Sequence, residues 1–160
     1  MNRSISLKGV RPFFNLVSSL GDGKGWYALM IALPVVAGQR GLFATAHLIV
    51  AGGITLPIYK LTKLLTRRAR PCNTFEEIIR GGKQLDEYSF PSGHVMHAVA
   101  FSIVIAAWFP AAATTMVVVT ALVALSRVIL GLHYATDVVI GAVLGFWIGT
   151  LSIHLFSSLT

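Results

Sequence analysis

Between Tyr88 and Thr160, Arg127 and Asp137 are the only Lys, Arg, Asp or Glu residues. Two runs in that stretch, "TTMVVVTALVAL" and "VVIGAVLGFWIGTL", are apolar on every side. Crossing a hydrocarbon core about 30 Å thick takes roughly 20 residues of helix. Five stretches are candidate spans, namely 25–39, which is the shortest, 42–62, 92–109, 112–130 and 138–157. A closed β-barrel would alternate apolar and polar residues along each strand, and these runs do not. With 55% hydrophobic and 12% charged residues, the chain lies outside the range of a water-soluble domain. The expected fold is all-α: a polytopic transmembrane helical bundle of about five spanning helices, one domain over residues 1–160.

The N-terminal segment "MNRSISLKGVRPFFNLVSSLGDGKGW" combines basic residues, a mixed stretch and a Gly-rich turn. It lacks the long apolar core and small-residue cleavage site of a removable signal peptide. Residues 12–20 are expected to form a short interfacial helix, with Phe13, Phe14, Leu16, Val17 and Leu20 against the membrane. The single Cys72 has no second cysteine with which to form an internal disulfide.

The net charge of +7 is unevenly spread, because Lys60, Lys63, Arg67, Arg68, Arg70, Arg80 and Lys83 all fall within residues 60–83. Such a run fits a cytoplasmic loop, a patch for anionic head groups or an anion-binding site. Topology favours bringing it near other polar residues. If the 92–109 helix runs from one membrane face to the other and the next helix returns, His94 and His133 share a face. The last helix starts near Asp137 on that face, and the basic segment, which leads into the 92–109 helix, lies there too.

Three clusters therefore converge. In "SRVILGLHYATD", His133 and Asp137 stand four apart, neighbours if the segment is helical. A carboxylate there can hold one imidazole nitrogen and leave the lone pair of the other free; a helix-end cap is the plainer alternative. Ionisable groups beside apolar helices are costly to place and point to function. In "YSFPSGHVMHAV", Pro91-Ser92-Gly93 reads as a turn into a helix whose free N–H groups suit an anion. Ser92 also suits a capping role. His94 is placed to act as a general acid, whereas His97, one turn deeper, fits packing or a polar helix contact. In "KLLTRRARP", Lys63 and Arg70 supply phosphate-binding charge, while Arg67 and Arg68 fit contact with lipid head groups. Together the clusters suit phosphoryl transfer from an amphiphile.

These residues resemble the three-part signature of the type 2 phosphatidic acid phosphatase superfamily. The matching pieces are Lys63-x6-Arg70-Pro71, Pro91-Ser92-Gly93-His94 and Ser126-Arg127-x5-His133-x3-Asp137, with all eleven specified positions in agreement and in order. The resemblance implies a metal-independent membrane lipid phosphatase, with no cofactor, that works through a phosphohistidine. It implies His133 as nucleophile, Asp137 orienting it, and His94 protonating the leaving oxygen. Lys63, Arg70 and Arg127 would bind the phosphoryl oxygens, assisted by Ser92 and the Gly93 amide. The substrate class implied is a lipid phosphate or polyprenyl diphosphate, such as undecaprenyl diphosphate, phosphatidic acid or phosphatidylglycerol phosphate. The short 72–90 loop favours a simple phosphate end.

Many bacterial members of that superfamily have six membrane helices, one more than the five stretches found here. The expected location is the inner (cytoplasmic) membrane of a bacterium. The active site is expected on the periplasmic, outer face, although the basic loops taken alone argue for the cytoplasmic side.

Two other readings use the same residues. His94, His97, His133 and Asp137 form a ligand set for a metal-dependent membrane hydrolase, against which three nearby cations argue. Intramembrane ionisable residues also mark transporters and assembly subunits. Gly141, Gly145 and Gly149 form a small-residue stripe suited to packing within the chain or to a homodimer face. Membrane lipids are expected neighbours, and the basic charge needs no nucleic acid to explain it.

Overall fold

The computed structural model describes residues 9–84 and 86–157; the basic head of the N-terminal segment, residues 1–8, lies outside them. Helix α1 (Val10–Ser19) passes through a π-helical turn, Leu20–Lys24, into α2 (Gly25–Thr66). A single turn, α3 (Pro71–Thr74), precedes α4 (Gly93–Trp108). After a 3-10 turn at Pro110–Ala112 come α5 (Ala113–Ile129) and α6 (Ala135–Ser157). Among the described residues there is no strand.

The long α2 is interrupted at Gly38, whose φ of 56° and ψ of −133° suit a residue without a Cβ. The chain doubles back there. Thr45 Oγ1 donates to the Met30 carbonyl at 2.9 Å, and a Cβ on Gly41 would collide with the Leu33 oxygen. Two rods result, 25–37 and 39–66, matching the first two apolar stretches of the sequence. By length and hydropathy, three helical segments are able to cross a membrane: the one within Val10–Thr74, Pro110–Ile129 and Ala135–Phe156. Helix α4 is apolar but only 16 residues long, roughly 24 Å at 1.5 Å per residue.

Helix α4 is the centre of the bundle, packed by α2, α5 and α6, and Val95, Met96, Ala98, Ala100, Phe101, Val104 and Ile105 are buried along it. Its seam with α6 is a backbone contact. A Cβ on Gly141 would lie 2.7 Å from the Ser92 oxygen, and one on Gly145 would lie closer still to that of Met96. The glycine stripe is thus taken up by α4, as small residues allow in membrane bundles. Polar groups pin the same helices. Ser102 Oγ meets Thr120 Oγ1 on α5 at 2.8 Å. At the far end, Trp108 Nε1 donates to His47 Nδ1 at 3.1 Å, while His47 Nε2 meets Ser152 Oγ at 3.1 Å.

Helix α1 lies against α5, and its apolar face is divided. Phe13, Leu16 and Leu20 are exposed, but Phe14 packs on Leu130 and Leu132, and Val17 joins the cluster around Trp26 and Val123. The expectation that all five apolar residues meet the membrane is therefore corrected in part for Phe14 and Val17, which the protein itself half covers. Asn15 Nδ2 donates to the Gly81 carbonyl at 2.7 Å, fastening α1 to the long loop.

Candidate active site

The C-terminus of α5 places the first histidine. Gly131 takes a φ of 69°; Leu132 N donates to the Arg127 carbonyl at 3.1 Å, and Gly131 N to that of Val128 at 3.0 Å. This pair of bonds is a Schellman closure, and it delivers His133 directly beyond the helix end. An alanine at Gly131 would have to adopt the left-handed conformation, at about 1–2 kcal/mol. Gly131→Ala is expected to lower the melting temperature of the purified protein and to displace His133. A variant that melts like the wild type would show that the closure tolerates a side chain.

Asp137 lies in the first turn of α6, where its Oδ2 accepts the Tyr134 N–H at 2.9 Å. This is the back-reaching bond of an acidic residue three positions into a helix. His133 precedes that helix, so the i,i+4 helical pairing expected from spacing is not the cause of their approach; the turn is. His133 Nδ1 stands 3.7 Å from Asp137 Oδ2, within ion-pair range but beyond a hydrogen bond. On the other side of the ring, Arg70 Nη1 lies 3.2 Å from His133 Nε2. Since a guanidinium only donates, Nε2 carries the lone pair and Nδ1 the hydrogen. Burial pushes the His133 imidazole well below its ordinary pKa, and Arg127, Arg70 and Lys63 add to this against the opposing pull of Asp137. The ring is neutral at neutral pH.

The cations of the three clusters do meet. Lys63, Arg70 and Arg127 are 4%, 1% and 0% exposed. Arg70 Nη1 donates to the Leu132 carbonyl at 2.8 Å, and its Nη2 to Asp86 Oδ1 at 2.6 Å. Lys63 Nζ donates to the same Asp86 oxygen at 2.7 Å and to the Tyr88 carbonyl. Tyr59 donates its hydroxyl to Asp86 Oδ2 at 2.5 Å. Burial alone would raise the Asp86 carboxyl, but the Lys63 and Tyr59 hydrogen bonds, with the charges of Lys63 and Arg70, hold it below the ordinary carboxylate range. Arg127 Nη1 donates to Ser18 Oγ.

Ser92 precedes α4 without a side-chain capping bond, so the capping role open to it in the sequence is not taken. Its N–H instead donates to the Asp137 carbonyl at 3.0 Å, tying α4 to α6. Ser92 Oγ, Arg127 Nε and His133 Nδ1 are buried and have no hydrogen-bond partner among the described residues. An unsatisfied buried polar atom costs about 1–3 kcal/mol, and such atoms cluster here around the cations. Gly93 lies flat against Tyr59, where a Cβ would stand 2.7 Å from the ring. His94 Nε2 contacts Asp22 Oδ1. His97 Nδ1 lies 2.9 Å from the Gly93 carbonyl and packs edge-on to Tyr59 and Phe101, in keeping with its place one turn deeper.

Four residues at the site are not apparent from the sequence pattern. Asp22 is hidden in a Gly-rich turn, Asp86 in a loop that looks solvated, and Tyr59 in an apolar helix. Arg68, expected at lipid head groups, instead donates through Nη1 to Asp137 Oδ1 at 2.9 Å and to Thr136 Oγ1 at 2.8 Å, with Tyr134 beneath it at 4.0 Å. A buried carboxylate attracts an adjacent cation more strongly than a solvated head group does.

A cavity of about 420 Å³ opens from this cluster. Lys63, His94 and His133 line one part of it, and Trp26, Met30, Leu48, Ile49 and Leu56 line the part between the two rods of α2.

A helical bundle able to cross a membrane, with two histidines and Lys63 lining a largely apolar cavity and buried Arg70 and Arg127 nearby, fits a membrane enzyme of the phosphate-ester class. Residues 24–160 match the PAP2 superfamily, and the chain belongs to it. An undecaprenyl-diphosphatase from Sulfolobus acidocaldarius is 26% identical over 98% of this chain and 74% of its own length. A decaprenylphosphoryl-5-phosphoribose phosphatase from Mycobacterium tuberculosis is 34% identical over 79% and 69%. Two crystal structures share the fold at 21% identity. One is a PAP2-type phosphatidylglycerolphosphate phosphatase from Bacillus subtilis, with a TM-score of 0.79 over 98% of this chain and 81% of that one. The other is LpxE from Aquifex aeolicus, with a TM-score of 0.78 over 96% and 90%.

Proposed function

We propose that this chain removes phosphate from a lipid phosphate or polyprenyl diphosphate through a phosphohistidine on His133. The observation that carries the reading is the two-part cavity: its polar part holds both histidines beside buried cations, and the remainder is apolar and reaches between membrane-length helices. Such a cavity fits an amphiphile held by its phosphate. The order of events follows from the chemistry. His133 Nε2 bonds to phosphorus as the bond from phosphorus to the lipid oxygen breaks; the electron pair stays on that oxygen, which takes a proton from His94. Water then bonds to phosphorus and gives a proton to His94, the N–P electron pair returns to His133, and inorganic phosphate leaves. Division into two displacements lowers each barrier. Lys63, Arg70 and Arg127, with Ser92 Oγ and the Gly93 amide, stabilise the charge on the transferring oxygens.

The two rods of α2, with α4, α5 and α6, act as five crossing segments, and α1 lies in the interface. The membrane is a bacterial inner membrane, and the site faces outward. Among substrates, a polyprenyl diphosphate is favoured by the undecaprenyl-diphosphatase relative, which aligns with nearly the whole chain. The test is phosphate release by detergent-purified protein, with chelator present, from undecaprenyl diphosphate, phosphatidic acid and phosphatidylglycerol phosphate. Release that survives chelation and is fastest for the diphosphate is the expected result. Release abolished by chelation would replace the histidine mechanism with a metal-dependent one. No release from any lipid by folded protein would point to a transport role.

A further inference from the structure

The catalytic scheme gives no role to Asp22, a half-buried carboxylate at the cavity. Asp22 projects from the π-helical turn Leu20–Lys24, and its Oδ1 contacts His94 Nε2 across 72 positions of sequence. Both side chains are mostly buried, at 18% and 10% exposure, and both line the cavity that holds His133. The turn is shaped to hold Asp22 there. Gly23 takes a φ of 105°, a Cβ on Gly25 would stand 2.8 Å from the Leu20 carbonyl, and Gly21 lies beside the His94 ring edge.

We propose that Asp22 is a positioning residue for His94, forming a second carboxylate–imidazole pair across the cavity from Asp137 and His133. The inference rests on the phosphatase reading above. A carboxylate only accepts hydrogen bonds, so the hydrogen on Nε2 is fixed towards Asp22. The other ring nitrogen then serves the reaction, giving its proton to the departing lipid oxygen in the first displacement and regaining one from water in the second. Asp22 exchanges no proton in either step; it sets the tautomer and ring direction and lies opposite the imidazolium charge, as a carboxylate does behind a catalytic histidine. Burial alone would raise the Asp22 carboxyl, but the His94 hydrogen bond and the charges of His94, Arg127 and Lys83 hold it below its ordinary value. It is ionised at neutral pH. The other charged or titratable groups facing His94 are Arg127 from α5 and His97 on its own helix, with Tyr27, Tyr59, Lys63, Asp86 and His133 around the cavity.

The role has a signature that a merely structural tether lacks. A lipid alkoxide needs a proton in order to depart, whereas p-nitrophenolate departs without one. In chelator, kcat/KM for phosphatidic acid is expected to fall about 10- to 100-fold in Asp22→Asn, a part of what a general acid contributes. For p-nitrophenyl phosphate the fall should stay within about threefold. On phosphatidic acid, whose leaving group is an alkoxide, the limb of the kcat/KM profile that declines with rising pH should move down by about one unit or more, because the charged partner of the imidazolium has gone. In a His94→Gln background, Asp22→Asn should have no further effect on kcat/KM for the lipid. Asp22→Ser provides a second neutral variant if Asp22→Asn does not accumulate as folded protein. Equal slowing of ester and lipid, an unmoved limb, or full additivity with His94→Gln would overturn the proposal. Folded wild type that releases no phosphate from any substrate would instead overturn the phosphatase reading itself.

Discussion

His133→Ala is expected to lower phosphate release by at least about 10⁴-fold, the scale on which loss of a nucleophile acts, while the protein still purifies as a folded species. The fold should tolerate the change because the contacts that hold this turn do not use the His133 side chain: the Schellman closure at Gly131 and the Arg70 side-chain bond to the Leu132 carbonyl remain. Radiolabelled phosphoryl groups should be retained by the wild type after an alkaline quench and be missing from the variant. The same residue predicts the acid side of the pH profile. The His133 pKa is depressed by burial and by Arg127, Arg70 and Lys63, so its neutral, nucleophilic form persists as pH falls through the ordinary imidazole value of about 6.5. Activity on that side should be lost only well below that pH. A variant that retains substantial turnover and label would remove His133 from the reaction.

Asp137→Asn is expected to reduce turnover by about 10³- to 10⁴-fold, comparable with neutralising the carboxylate behind other catalytic histidines, and to change stability by only about 1 kcal/mol. Asp137 has two structural partners, the Tyr134 N–H and Arg68. An asparagine can keep the first through its carbonyl, and Arg68, whose side chain is 38% exposed, can turn to water when its ion pair is lost. The negative charge near the Nδ1 hydrogen of His133 cannot be replaced. Turnover and thermal melting measured on one preparation separate the two roles: equal losses in both would make Asp137 a helix-end residue and no more.

Much of this site is legible in the sequence because the background is so apolar. In a chain where Arg127 and Asp137 are the only Lys, Arg, Asp or Glu residues beyond Tyr88, each ionisable residue stands out, and a face-to-face helical topology is enough to collect them. The break at Gly38 is legible for a similar reason, as a polar gap between apolar stretches. The carboxylates that the sequence hides, Asp22 and Asp86, act on partners 72 and 16 to 27 positions away. Both sit in segments whose Gly and charged residues look like solvated loop, and no local periodicity reports a long-range pairing. Arg68 is misplaced by its sequence context because a run of basic residues does not reveal which member faces inward. The glycine stripe on α6 leaves its partner open between a second copy and the chain itself, since small residues specify close approach without specifying to whom.

The seam between α4 and α6 also bears on how the residues of the proposed site are kept in register. Ser92 and His94 begin one helix and Asp137 begins the other, and the two backbones touch at Gly141 and Gly145 with no side chain between them. Flexible side chains can change length by changing rotamer; a backbone resting on a backbone cannot. The spacing of these groups is therefore gauged by the thickness of the polypeptide itself, a ruler that neither thermal side-chain motion nor the identity of the lipid tail can stretch.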